Sequence, residues 1–224
     1  MISASDLFKK AKFYSLKRSE DLSEAHAELL KKISTPDSFN KFHPERAREY
    51  LLGRLCANNA FGLLTGTELL NLPTDSDRSP MWPPGFVGSI SHDKNWVGVA
   101  VANCSDLIGL GIDFEVKGRA KLEVKKQITN SHDITSCANY SDEELITIIF
   151  SIKECLYKAL YPSVKMFFGF EDAAVTALDP IEKTFSVALL KDLSEDFCLN
   201  KKYLFKGRYL ELPESILTVL EIHL

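Results

Sequence analysis

The chain has 224 residues, 45% of them hydrophobic, and its 27 basic and 31 acidic side chains give a formal net charge of −4. This hydrophobic content is enough for a substantial core, in one large domain or in two closely packed halves. The acidic balance argues against bulk nucleic-acid binding but leaves room for a local basic pocket.

The cysteines are scattered and contain no CxxC pair (Cys56, Cys104, Cys137, Cys155 and Cys198). An odd, dispersed set predicts free thiols in a reducing compartment and no zinc site. The N-terminal sequence has no apolar signal core, and no later run approaches a membrane span. We therefore expect a soluble cytoplasmic protein.

Helical patterns dominate the first part of the chain. Residues 13–16 are predicted to be a short extended piece, residues 21–33 have helical character, and a long helix is predicted from Glu45. Three arginines lie along the long helix (Arg46, Arg48 and Arg54). Solvated helix charges are the simplest interpretation of these arginines.

A proline-rich loop over residues 71–84, which contains Arg78, precedes a predicted hairpin of FVGSISH and WVGVAVA. Ser91 and His92 fall at the turn end of the hairpin. A Ser-His pair can simply shape a turn. A serine hydrolase is disfavoured because no GxSxG is present and an adjacent Ser and His cannot readily share a proton in a triad.

The next predicted strand, LIGLGIDFEV, places Asp113 and Glu115 on one face and apolar residues on the other. Two carboxylates on such an apolar strand are costly unless cations accompany them. They would suit magnesium, which takes one or two carboxylates together with substrate phosphates. A strand at a sheet edge with one solvent-exposed face would also explain the pattern.

After a charged helix near residues 121–128 and a loop, a long amphipathic helix is predicted from Asp142. Ser141 and Glu144 form a capping box at its start, and Pro162 is expected to help stop it. Opposite its apolar face, four polar side chains align one turn apart (Thr147, Ser151, Glu154 and Lys158). Taken alone, Glu154 and Lys158 could be an ordinary ion pair on a solvated face.

The last third predicts an antiparallel meander of strands near residues 173–178, 184–190, 202–209 and 216–222. Helical segments followed by strands thus occur twice along the chain, which hints at two similar halves.

Three blocks, PMWPPGFVGSISH, GIDFE and FSIKECLYKA, together resemble the signature blocks of the 4′-phosphopantetheinyl transferases in order and spacing. The upstream REYLLGR resembles a helix of the single-chain type, which serves siderophore and peptide synthetases such as those for surfactin and enterobactin. Any one block is a weak signal, whereas the ordered set is specific.

The resemblance implies an α+β fold of two similar halves related by a pseudo-twofold axis. Each half would hold a small, antiparallel-rich sheet and a long helix, with the active site in the cleft between them. We expect residues 1–108 to form the half that binds the nucleotide of coenzyme A. Residues 109–224 would form the half that carries the metal-binding strand and the signature helix.

The resemblance also implies roles for individual residues. Asp113, Glu115 and Glu154 match the ligands of Mg²⁺, and Asp113, Glu154 and Lys158 match the catalytic set. Coenzyme A, as substrate, would be held by the residues that match its phosphate-binding positions: Arg46, Arg54, Arg78, Ser91, His92, Lys153 and Lys158. The proton of the acceptor serine, on the protein substrate, would pass to Glu154 directly or through a metal-bound water. The sequence does not distinguish these two routes.

The implied reaction moves the phosphopantetheine arm of coenzyme A onto a serine of an apo acyl, peptidyl or aryl carrier protein and releases 3′,5′-ADP. Siderophore, nonribosomal peptide or polyketide synthesis is the expected context. We expect a monomer, free or docked in a synthetase complex, that binds no nucleic acid and does not span a membrane. A magnesium-dependent nucleotide pyrophosphate hydrolase and a non-catalytic subunit that binds coenzyme A or a carrier are the alternatives.

Two positions depart from the family pattern. Asp93 follows His92 where relatives often carry a small residue, so local phosphate contacts could be rearranged. Cys155 stands where serine or alanine is commoner, and we expect little effect. The segment between the signature strand and the signature helix, where carrier recognition often resides, matches nothing that can be assigned.

Overall fold

The computed structural model describes residues 3–198 and 204–223. In these ranges it is an α+β structure with two antiparallel sheets. The first sheet has the order β1–β3–β2, with β1 at Lys12–Lys17, β2 at Phe86–His92 and β3 at Trp96–Asn103. Two helices accompany this sheet: α1 at Glu24–Lys32 and α2 at Pro44–Thr65.

The second sheet has five strands in the order β4–β8–β7–β6–β5. Its strands are β4 (Leu107–Val116), β5 (Ala173–Asp179), β6 (Thr184–Leu189), β7 (Leu204–Glu211) and β8 (Ser215–His223). The long helix α4, at Asp142–Val164, packs against β4 and β8. One half therefore pairs α2 with a three-stranded sheet, and the other half pairs α4 with a five-stranded sheet.

Most predicted elements are present, with small changes at their ends. The capping box is confirmed, because the Ser141 side chain accepts from the N–H of Glu144. Pro162 does not stop α4, which continues to Val164 and ends where Lys165 takes a left-handed conformation (φ 47°). The charged helix near residues 121–128 is a 3₁₀ turn followed by the single helical turn α3, Lys125–Ile128. The first residues of the strand predicted at 202–209 lie outside the described ranges.

Serine side chains join the two halves. β4 is the edge strand of its sheet, and its neighbour across the junction is β2. The hydroxyl of Ser89 accepts from the N–H of Ile112 (3.1 Å), and that of Ser91 accepts from the N–H of Phe114 (3.0 Å). Two buried N–H groups that no β-ladder pairs are satisfied in this way.

Glycines allow α4 to approach β4 closely. A Cβ at Gly111 would lie 2.0 Å from the carbonyl oxygen of Cys155, and one at Gly109 would lie 2.6 Å from that of Ala159. Because these atoms are helix backbone, they cannot rotate away as a side chain could. The glycines therefore set the distance between α4 and the carboxylate-bearing strand.

We expect Gly111→Ala to push α4 off the sheet and to destabilise the fold by about 3 kcal/mol, as overpacking does in a dense core. Thermal unfolding would show a loss of roughly 6–12 °C. Gly53→Ala in α2 is the matched control, because a Cβ there meets only Ile90 at 3.5 Å and alanine favours a helix. Equal melting temperatures for the two variants would contradict this account.

No helix in the described ranges combines the length and the apolar character that a membrane crossing requires.

Candidate active site

Asp113 on β4 is the centre of a buried polar cluster. Its Oδ1 accepts from Lys158 Nζ (2.6 Å) and from the hydroxyl of Ser91 (3.1 Å), and its Oδ2 accepts from the hydroxyl of Ser151 (2.8 Å). Ser151 and Lys158 lie on the face of α4 that the glycines bring against β4. The hydroxyl of Thr218 on β8 donates to the Ser151 carbonyl (3.1 Å) and fixes that residue in turn.

The hydroxyl of Ser91 uses its full hydrogen-bonding capacity. It donates to Asp113 and accepts from Lys158 Nζ (3.0 Å) as well as from the N–H of Phe114. A hydroxyl offers one donor and two acceptor positions, so all three are occupied. Ser91 would therefore have to release Asp113 before it could donate to a phosphate.

Lys158 keeps its positive charge in this setting. Burial by itself lowers the pKa of Lys158, but Asp113 and Glu154 outweigh burial and the net shift of that pKa is upward. The ammonium is thus a permanent cation at the bottom of the cluster.

Glu154 is the cluster's unpaired member. In the described part of the chain its carboxylate has no hydrogen bond or ion pair, although the side chain is partly buried. Burial raises the pKa of Glu154, and the carboxylates of Asp113 and Glu115 raise it further against the pull of Lys158. A partly buried carboxylate with no partner and a raised pKa is suited to accept a proton.

The buried Glu115 completes the acidic set. Arg119 NH1 lies 3.2 Å from its Oε1, and burial raises the pKa of Glu115 despite that arginine. Within the described ranges, no three His, Cys, Asp or Glu side chains are grouped closely enough to hold a metal ion. The oxygen donors suit Mg²⁺ chemically, but Lys158 now supplies the positive charge beside Asp113, so binding a metal would require rearrangement.

Beside Glu154 lies an apolar pocket of about 430 Å³. Aromatic side chains from α4 and from the segment after it form most of its wall: Tyr157, Phe167, Phe168 and Phe170. Phe167 is 76% exposed. The pocket can take an uncharged, flexible group.

A second cleft of about 470 Å³ runs between the halves. Ser89 on β2, Gly109 on β4 and Lys158 on α4 line it, and the loop with Arg78 contributes a further wall. Its cationic side chains (Arg78, Lys158 and Lys165) fit an anionic ligand.

His92 lies at the edge of the cluster with a group of arginines. Its Nδ1 is 3.7 Å from the carboxylate of Glu49, which Arg18 (3.1 Å) and Arg46 (3.7 Å) also contact. Burial lowers the pKa of His92; Glu49 raises it, whereas Arg46, Lys158 and Arg18 lower it further. His92 is thus near Lys158 as well as the arginines, and the neighbouring cations favour its neutral form.

Arg54 faces the loop that carries Arg78. Its guanidinium stacks on Tyr50 (4.1 Å to the ring centroid) and donates to the carbonyl of Leu72 (3.3 Å) and the hydroxyl of Thr74 (2.7 Å). Desolvation lowers the pKa of Arg54. Arg54 therefore holds one end of the loop.

Lys153 does not fit its predicted role as a phosphate ligand. Its Nζ donates to Asp133 Oδ2 (2.7 Å), to the Ile128 carbonyl (2.9 Å) and to the Phe170 carbonyl (2.8 Å). All three donors of the ammonium are used, and its side chain is only 2% exposed. Contrary to the prediction, Lys153 ties α4 to the surrounding loops and has no free donor for a phosphate.

The Asp93 side chain bonds within its own turn and to Ser215. One carboxylate oxygen accepts from the N–H groups of Asn95 and Trp96 (2.7 Å each), and the other accepts from the hydroxyl of Ser215 (2.5 Å). It closes the hairpin turn and bonds it to β8. The departure from the family pattern therefore has a structural explanation.

The structure groups Asp113, Glu115, Glu154, Lys158 and Ser91 at the junction of β2, β4 and α4. His92 and Arg46 lie at one side, Arg54 contacts the loop of residues 71–84, and Arg78 lies within that loop. Sequence analysis did not predict a role in this region for four residues: Arg18, Glu49, Trp82, and Ser151 as a hydrogen-bond donor to Asp113.

Trp82 is a cleft residue for which the sequence gives little indication. It lines the cleft, and its buried indole N–H has no partner among the described residues. A Cβ at Gly88 would lie 2.4 Å from its ring, so that glycine makes room for it. A tryptophan between prolines beside a glycine-containing strand is the only sequence hint.

Comparison with known proteins agrees with this geometry. Residues 36–102 match the 4′-phosphopantetheinyl transferase N-terminal domain, and residues 109–210 match the 4′-phosphopantetheinyl transferase superfamily. The chain belongs to the 4′-phosphopantetheinyl transferase superfamily.

Curated members of the superfamily give consistent matches. The transferase Svp of Streptomyces mobaraensis is 33% identical over 66% of this chain and 61% of its own length. The transferase PptT of Mycobacterium tuberculosis is 30% identical over 59% of each chain. Enterobactin synthase component D of Salmonella typhi is 28% identical over 71% of this chain and 67% of its own. The matched region thus spans about 60% of the first two relatives.

Proposed function

We propose that the chain transfers the phosphopantetheine arm of coenzyme A to a serine of an apo carrier protein. The observation that carries the proposal is the unpaired Glu154 beside Asp113 and Lys158, between a cleft lined by cationic side chains and an apolar pocket. Family membership supports it, and the names of the relatives agree with it. The division into residues 1–108 and 109–224 belongs to the same proposal.

In the reaction, the serine oxygen bonds to the phosphorus of the pantetheine phosphate. The bond from that phosphorus to the bridging oxygen breaks, and its electron pair leaves on 3′,5′-ADP. The serine proton goes to Glu154, directly or through a water. Lys158 stabilises the charge that develops on the phosphate oxygens.

The two cavities suit the two ends of coenzyme A. The cleft with Arg78 and Lys158 would take the phosphates, with Arg54, Arg46, His92 and Ser91 as further contacts. The aromatic pocket beside Glu154 would take the uncharged pantetheine arm.

Mg²⁺, held by Asp113, Glu154 and Glu115, would polarise the pyrophosphate and neutralise the leaving group. We propose this magnesium site for two reasons. The carboxylates offer hard oxygen ligands, and the pKa values of Glu115 and Glu154 are raised, which a bound cation would reverse.

The carrier would be an acyl, peptidyl or aryl carrier protein. Resemblance to the enterobactin-synthase type favours siderophore or other nonribosomal peptide synthesis, in the cytoplasm and as a monomer. That part rests on analogy within the family.

Intact-mass spectrometry of an apo peptidyl carrier protein, incubated with this protein, coenzyme A and Mg²⁺, tests the proposal. We expect the carrier to gain one phosphopantetheine, and we expect the gain to disappear with EDTA or with Asp113→Ala. An unmodified carrier, repeated with acyl and aryl carrier proteins, would argue against transfer. Cleaved coenzyme A in the same tube would then indicate a hydrolase, and intact coenzyme A a non-catalytic binder.

A further inference from the structure

The loop that carries Arg78 has a tightly defined shape. Residues 74 and 80 form a β-bridge, and the N–H of Arg78 donates to the carbonyl of Asp75 (2.9 Å). Asp77 Oδ1 accepts from both the N–H (2.8 Å) and the hydroxyl (2.5 Å) of Ser79. Arg78 itself has φ 68°, in the left-handed region that residues other than glycine rarely adopt. The surrounding bonds therefore impose the conformation of Arg78.

The other oxygen of Asp77 reaches across to the second half. Asp77 Oδ2 accepts from the hydroxyl of Tyr161 (2.9 Å) and from Lys165 Nζ (3.2 Å), both at the end of α4. Lys165 also lies 3.7 Å from Asp75. The loop belongs to the first half, so these contacts bridge the cleft.

The bridge is part of the cleft wall. Asp77, Tyr161 and Lys165 line the same 470 Å³ cleft as Arg78 and Lys158. Arg54 holds the opposite end of the loop through Thr74 (2.7 Å). Arg78 is therefore held between an anchor in its own half and an anchor in the other.

We propose that Asp77 is a positioning residue whose bonds to Tyr161 and Lys165 form a latch that holds Arg78 at the cleft for the phosphates of coenzyme A. This inference rests on the proposed function, because it takes the cleft to be the site of the nucleotide.

Because the latch residues are partly exposed, we expect their loss to affect ligand binding more than the stability of the fold. The Lys165 side chain is 53% exposed and that of Asp77 is 25% exposed. Ion pairs with this much contact with solvent contribute little to the stability of a fold. Their loss should leave the melting temperature nearly unchanged while the loop, and Arg78 with it, becomes less ordered.

The sharpest variant is Tyr161→Phe, which removes one hydrogen bond without changing any charge. The ring still stacks on Tyr157, whose centroid lies 5.2 Å away. Tyr14→Phe is the matched control, since the Tyr14 hydroxyl also has one side-chain partner, His26 Nε2 at 3.0 Å, away from the cleft.

Calorimetric titration with coenzyme A measures binding. KM and kcat for transfer are measured separately and report on turnover. We expect Tyr161→Phe to weaken Kd and raise KM by about three- to tenfold, the equivalent of one hydrogen bond, with kcat retained. Asp77→Asn should act in the same direction. The double variant should be little worse than the more affected single variant, because both substitutions disrupt the same Tyr161–Asp77 bond.

Several results would overturn the latch. An unchanged Kd in Tyr161→Phe, or effects of the two substitutions that simply add, would do so. Tighter binding by Asp77→Asn would also do so, because it would mean that Asp77 acts only through its negative charge. Coenzyme A binding without transfer by the unmodified chain would sink the proposed function while leaving the latch testable by Kd. Absence of binding would overturn both.

Discussion

Replacing Glu154 with glutamine should abolish transfer and at the same time make the protein more stable. Glu154 has no hydrogen bond or ion pair among the described residues, and the nearby carboxylates of Asp113 and Glu115 act on it against the attraction of Lys158. Glutamine keeps the size of the side chain but cannot accept the serine proton. Loss of a positioned base costs roughly 10²–10⁴ in rate, and we expect about 10³ or more here.

The gain in stability follows from the direction of the pKa shift. The pKa of Glu154 is higher in the folded chain than its ordinary value of 4.5, so the ionised form opposes folding. This penalty is fully present above the folded pKa and disappears below the ordinary value. At neutral pH the neutral glutamine should therefore raise the melting temperature.

Thermal unfolding between pH 8 and pH 4 tests both the expected stabilisation and its dependence on pH. The difference in melting temperature between Glu154→Gln and the unmodified chain should shrink as the pH falls, because Glu154 itself becomes neutral. Glu171→Gln is the control, since Glu171 lines the same pocket but is exposed. A destabilised Glu154→Gln, or one that still transfers at a normal rate, would contradict the role given to this carboxylate.

Lys153→Met should cause a large loss of stability while leaving coenzyme A binding intact in the protein that remains folded. The substitution leaves Asp133, whose side chain is 1% exposed, with two backbone N–H donors but without its cation, and it removes the donor for two carbonyls. Breaking a buried pair in this way costs about 3–5 kcal/mol. The melting temperature should fall by roughly 6–20 °C.

Lys191→Met is the matched control for this variant. Lys191 pairs with Asp172 in the same half at 3.3 Å, but its side chain is 46% exposed, and we expect a change of no more than about 1 kcal/mol. Calorimetry at a temperature where both variants are folded then measures coenzyme A binding. Normal stability with lost binding in Lys153→Met would restore the phosphate-binding role predicted from the sequence.

The contrast between Lys153 and Lys158 shows where sequence analysis stops. The period of α4, its capping box and the alternation along β4 can all be read from local patterns, and these elements are present. Five residues along a helix separate the two lysines by about 140° around its axis, so they cannot face the same ligand. Which of them faces the cleft depends on Asp133 and Asp113, which approach α4 from different directions.

Other parts of the site depend on tertiary contacts in the same way. The left-handed Arg78 follows from a bridge across its loop, and the burial of Ser151 follows from two glycines on β4. The grouping of Glu49 with Arg18 and His92 joins three elements that are distant in the chain. None of these arrangements has a local sequence period.

The serine contacts between β2 and β4 also protect the chain from self-association. β4 ends its sheet, and an unpaired edge strand is a template on which a strand from another molecule can add. Ser89 and Ser91 occupy the N–H groups of Ile112 and Phe114 that such a strand would use. A fragment that lacked the first half would uncover this edge together with the apolar residues beneath it. The two halves are therefore interdependent for solubility, whatever their separate contributions to the cleft.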